Sequence, residues 1–221
     1  MSTIVLWLGR AGTLVAAATL AGLLVRGRWR LWYTFPLLIL AVMTHDLLVG
    51  WWPHRFHRSQ VWQLHQYTLI VIRLAMVIEL AIRVFRGFPG AMATARRALI
   101  MISAAAFLVV TALPTTRTGY AGFVGEVMPR ILNGTVWLFA AVAVLIVWYR
   151  LPVHWFPKAV LLSYVPYLLV FTVAMNTLGA FGWERGAWVN HLNVWAWRLL
   201  ALFWAYNAWR PDPSRSHPPA S

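Results

Sequence analysis

Apolar residues recur along the chain in blocks of about 20 positions, the length at which a helix crosses a hydrocarbon core of about 30 Å. Short segments rich in Gly, Pro and Arg separate them, such as "RGFPGAMATARR" and "YRLPVHWFPK". The pattern predicts seven spans: Ile4–Val25, Leu31–Gly50, Val61–Phe85, Ala98–Leu113, Ile131–Trp148, Phe156–Leu178 and Ala187–Ala208. The expected fold is all-α, a polytopic seven-transmembrane-helix bundle over residues 1–210. Residues 211–221, rich in Pro and Ser, cannot build a core and are expected to form a disordered tail. The first block has its basic cluster after the apolar run rather than before it, so it reads as a retained helix and not a signal peptide.

Composition supports the pattern. The chain is 61% hydrophobic and 11% charged, against roughly 45–50% and about 25% in soluble domains. It has no cysteine, which excludes disulfides, thiolate catalysis and Cys-held metals. The net charge of +14 comes from residues that flank the apolar blocks, so it points to lipid headgroups and topology rather than nucleic acid. One set of span ends carries eleven cations: Arg26, Arg28, Arg30, Arg83, Arg86, Arg96, Arg97, Arg150, Lys158, Arg210 and Arg215. The other carries six: Arg10, Arg55, Arg58, Arg117, Arg130 and Arg185. The richer side is expected to be cytoplasmic, which places the N-terminus outside and the C-terminus inside. The expected location is the bacterial inner membrane, multi-pass.

Two arginines belong to neither side. Arg73 lies at the midpoint of the third span, and Arg198 at almost the same depth in the seventh. A charge at that depth costs about 2.5–3.5 kcal/mol on insertion scales. Acceptors are few. Asp46 lies about 8 Å toward the outside and Glu79 about 8 Å toward the cytoplasm, at 1.5 Å per residue. The simplest closed arrangement pairs Arg73 with Asp46, and Arg198 with Glu79 or with the carbonyl that Pro166 frees at Leu162. Arg73, Glu79, Arg198 and Asp46 are then a structural charge network. In the alternative, one arginine awaits an anionic group such as a lipid headgroup, a carboxylate or a quinone oxygen.

Histidines gather toward the outer side: His45, His54, His57 and His65, with His191 approaching on the seventh span. His45, Asp46 and His191 are candidates for a metal site, and His45 with His191 for haem ligation, although no metal-binding spacing is present. No cofactor is the simpler expectation, with haem and zinc as the alternatives. The first span carries small residues four apart, Gly12 with Ala16, Ala17 with Ala21 and Ala18 with Gly22, which suit close helix packing. Of 15 tryptophans, Trp32, Trp51, Trp52, Trp62, Trp148, Trp155 and Trp188 fall near span ends and read as an aromatic belt. Trp195, Trp197 and Trp204 lie deeper.

Phe35-Pro36 opening the second span, "VWQLHQY" opening the third and "ELAIRVFRGFPG" closing it resemble a family of bacterial seven-helix proteins with no assigned activity. The likeness extends over nearly the whole chain. A looser one is to the seven-helix sensor regions that precede histidine kinases and cyclases. His45 and His191 resemble zinc positions of alkaline ceramidases, but Trp195 stands where a further ligand is needed. A retinal protein needs a lysine deep in its last span, and the only lysine is Lys158. The expected function is therefore non-enzymatic: a sensor-like or accessory membrane module binding a lipid, a quinone or a partner helix within its bundle. The alternative is a metal- or haem-dependent membrane enzyme using His45, Asp46 and His191.

Overall fold

The computed structural model describes residues 3–85, 126–148 and 153–212, with the isolated positions 97 and 101. All regular structure among them is helical. In chain order the elements are α1 (Thr3–Val25), a 3₁₀ turn (Arg28–Leu31), α2 (Thr34–Trp51), the short α3 (Pro53–Phe56), α4 (Ser59–Phe85), α5 (Met128–Trp148) and α6 (Trp155–Trp209). These helices overlie the predicted first, second, third, fifth, sixth and seventh segments. The fourth, Ala98–Leu113, lies outside the described residues.

Three helical stretches are long and apolar enough to cross a membrane: Thr34–Trp51, Met128–Trp148 and Trp155–Leu178. The exposed surface agrees. Val71, Trp137 and Leu14 are 66%, 75% and 71% exposed, while Arg73 is only 3% exposed. Large apolar side chains outside and a charge inside invert the arrangement of a soluble domain and point to a membrane protein.

The helix α6 is interrupted at Gly182, whose φ of 76° is open to glycine at little cost. The chain there reverses. The Trp204 indole N–H donates to the Ser163 hydroxyl at 3.0 Å, the Tyr167 and Trp197 rings lie 5.2 Å apart, and Asp212 reaches His154 at 3.2 Å. Each pair straddles Gly182 almost symmetrically, so the two limbs of α6 form an antiparallel hairpin. Contacts between helices close a ring: α1 on α2, α2 on α4, α4 on α5, α5 on α6, and α6 back on α1.

One end of the ring collects much of the richer basic set, including Arg26, Arg28, Arg30, Arg83 and Arg210. There Arg28 is 5% exposed. Its guanidinium donates to the carbonyls of Asn207 and Arg210 and lies 4.7 Å from the Trp155 ring centroid. Burial pushes its pKa below the ordinary value, with Asp212 pulling the other way. Asp212 also accepts from the Trp155 indole N–H at 3.1 Å, so position 212, assigned to the tail from sequence, is packed against the start of α6. Gly22 sits where a Cβ would come within 2.9 Å of the Trp209 indole nitrogen, and that N–H donates to the Ala18 carbonyl at 2.9 Å. This part of the small-residue stripe serves packing inside the bundle.

The core at this end is aromatic. Phe35 is fully buried and meets Trp204 edge-on at 5.0 Å and Phe156 at 5.8 Å. Trp32 corrects the belt assignment. It is 1% exposed and stacks on Phe35 at 5.9 Å, because the 3₁₀ turn ahead of it and its extended backbone carry the ring inward. Trp51, Trp52, Trp148 and Trp188 remain exposed at helix ends.

Candidate functional site

Inside the ring lies a cavity of about 550 Å³. Its walls are helical stripes, each recurring every three or four residues as one face of a helix must. Helix α1 presents Gly12, Val15, Ala16 and Thr19. Helix α2 presents Leu38, Val42, His45 and Asp46, and α4 presents Trp62, His65, Gln66, Leu69 and Arg73. The first limb of α6 adds Tyr164, Tyr167, Phe171, Met175 and Leu178. The second adds Asn190, Asn193, Val194, Trp197, Arg198 and Trp204.

Three of the four residues of the expected charge network, Arg73, Arg198 and Asp46, therefore line one cavity. Their pairing differs from the expectation. The Arg73 Nε–H donates to the Tyr164 hydroxyl at 2.8 Å, and its guanidinium carbon lies 5.5 Å from the Phe171 ring centroid. No ion pair of Arg73 with a carboxylate occurs among the described residues. Asp46 instead faces His45, Oδ1 to Nδ1 at 3.6 Å. Glu79 stands outside the cavity. Its carboxylate accepts from the backbone N–H of Tyr33 at 2.9 Å and of Thr34 at 2.8 Å, and from the Thr34 hydroxyl at 2.8 Å. Arg83, one turn on, donates to it at 2.7 Å. Glu79 thus satisfies donors that the first turn of α2 leaves open and is not the partner of Arg198.

Several buried polar atoms on the cavity walls have no hydrogen-bond partner among the described residues: Arg73 Nη1, Gln66 Oε1 and Asn193 Oδ1. Gln66 is 7% exposed. An unsatisfied buried polar group costs about 1–3 kcal/mol, and more if it is charged. All three lie on the wall of one cavity, where such atoms are uncommon in folded proteins.

The histidines divide. His45 and His65 both line the cavity and stack, rings 3.9 Å apart and 15° from parallel. His54 and His57 are exposed around α3, and His191 is exposed and absent from the lining. His191 falls one position past Asn190, so its side chain turns about 100° away from the inward stripe. Among the described residues no group of three or more His, Cys, Asp or Glu comes close enough together to hold a metal.

Tyr164, Gln66, Asn190 and Asn193 are site residues that the search for charges passed over. A signal was present: Gln66 lies seven positions before Arg73, and Asn190 lies eight before Arg198. Two turns along one face carry polar groups toward the same interior. Compared with protein families, with curated proteins and with solved structures, the chain finds no match. The reading of its function rests on the cavity.

Proposed function

We propose that this chain is a seven-helix, multi-pass protein of the bacterial inner membrane, N-terminus outside and C-terminus cytoplasmic, that binds a small amphipathic molecule within its bundle. Its role is sensor-like or accessory rather than catalytic. The observation that carries this reading is Arg73, a buried cation with no carboxylate partner among the described residues, on the wall of a cavity otherwise largely apolar. Keeping a desolvated charge without a counter-ion makes sense when a ligand supplies the acceptor.

A cavity of about 550 Å³ lies within the roughly 300–1,000 Å³ of small-molecule sites, which favours a lipid or quinone over a partner helix. The metal or haem alternative needs His191 beside His45 and Asp46, and the exposure of His191 outside the cavity counts against it.

The test is retention of ligand. Wild-type protein purified in a mild neutral detergent should carry a bound amphiphile, detected by native mass spectrometry, and Arg73→Met should lose it at equal folded yield. Identical spectra for the two would refute the reading. A reporter fused after Arg210 tests orientation separately. It should be active only in its cytoplasmic form.

A further inference from the structure

The cavity also constrains the head of its ligand. Its lining carries two guanidinium groups, Arg73 and Arg198, against one carboxylate, Asp46. Arg73 is held by its Nε–H on the Tyr164 oxygen at 2.8 Å, which leaves the buried Nη1 without a protein acceptor. Tyr164 is itself fully buried. Having accepted from Arg73, its hydroxyl retains a proton to donate. Two donors, one of them charged, therefore emerge from one point of the wall. That pair suits an oxyanion, since charge-assisted hydrogen bonds are about twice as strong as neutral ones.

Much of the remaining wall is apolar, with Leu38, Val42, Leu69 and Met175 among its members, beside the polar Thr19, His45, His65, Asn190 and Asn193. A cavity of about 550 Å³ falls within the roughly 300–1,000 Å³ of small-molecule sites, the scale of one acyl chain with its head.

We infer that the cavity binds a single-chain anionic amphiphile, with its carboxylate or phosphate on Arg73 and Tyr164 and its chain between the apolar stripes of α2, α4 and α6. The inference rests on the ligand-binding reading above and narrows it to one chemical class. A free fatty acid and a lysophospholipid both supply that chemistry.

The experiment uses full-length protein in a neutral maltoside detergent. Native mass spectrometry reads the binding of palmitate, palmitoyl-lysophosphatidylglycerol, hexadecanol and a short-chain quinone. Palmitate or the lysolipid should bind at least tenfold more tightly than hexadecanol, which has the same chain and no charge. The tighter of the two identifies the source of the head. Arg73→Met should reduce that preference to less than twofold. Tyr164→Phe, which keeps the charge, should weaken it partially. The wild-type ratio decides the matter even if a variant fails to fold. Hexadecanol or the quinone binding as tightly as palmitate would overturn the anion inference while leaving a ligand-binding cavity. Binding of none of the four probes would overturn the cavity's function as well.

Discussion

Tyr164→Phe removes one oxygen, and its effect separates two accounts of Arg73. Among the described residues that oxygen is the one hydrogen-bond acceptor that Arg73 finds, at 2.8 Å. A hydrogen bond to a charged group contributes a net 1.5–3 kcal/mol, roughly, and Phe leaves the buried Nε–H unsatisfied. Tyr164→Phe should therefore destabilise by about 2–3 kcal/mol. Arg73→Met loses the same bond and the approach to Phe171, the latter about 0.5–2 kcal/mol. It also removes a buried ion whose desolvation costs several kcal/mol. The second effect offsets the first, so Arg73→Met should be the milder change although it deletes more atoms. The double variant should resemble Arg73→Met alone, giving a coupling energy of about 2–3 kcal/mol between the two positions. Asp46→Asn combined with Arg73→Met should couple by less than about 0.5 kcal/mol, as residues without a shared contact do. Unfolding in mixed micelles of increasing dodecyl sulfate fraction, followed by far-ultraviolet circular dichroism, measures all of these. Coupling to Asp46 larger than coupling to Tyr164 would refute the reasoning and restore a structural ion pair as the role of Arg73.

Glu79→Gln should destabilise the bundle by about 1–2 kcal/mol, as loss of an N-terminal cap does, and should leave ligand binding unchanged because Glu79 is not part of the cavity wall; the same micelle titration and binding assays check both. Gly22→Ala should lose about 1–3 kcal/mol by overpacking, since its Cβ would stand 2.9 Å from the Trp209 indole nitrogen; an unchanged unfolding midpoint would show that α1 and the end of α6 do not touch there. Arg28→Met should release the carbonyls of Asn207 and Arg210, with a loss of roughly 1.5–3 kcal/mol. Hydrogen exchange should then rise both in the turn between α1 and α2 and at the end of α6, and a rise confined to the turn would refute the link.

Where the long helices among the described residues lie along the chain was legible in the sequence, because the length of an apolar block and a period of 3.6 are local properties. That Arg73 falls inside the bundle followed from its place in a long apolar run. The end of the bundle to which Arg28, Arg83 and Arg210 belong followed from alternation of the helices. The inward face was legible too, had polar positions been tracked along with charges: Gln66 shares a stripe with Arg73, and His191 falls off the stripe of Asn190 and Asn193. What faces Arg73 was not. Asp46 and Tyr164 are both within its reach by depth, and the choice depends on how far α2, α4 and α6 each rotate about their own axes as the ring closes. That rotation is set by contacts between residues far apart in sequence, such as Phe35 against Trp204 and Phe156. Glu79 was likewise read as a partner for a deep arginine, but the 3₁₀ turn delivers the first N–H groups of α2 to it instead. Trp32, placed at the interface by its position in sequence, is carried into the core by the same turn. Local pattern determines which residues a helix can present inward. Only the packed ring decides which neighbour each one meets, because a side chain's partner depends on the relative rotation of two helices, a quantity that no single helix carries.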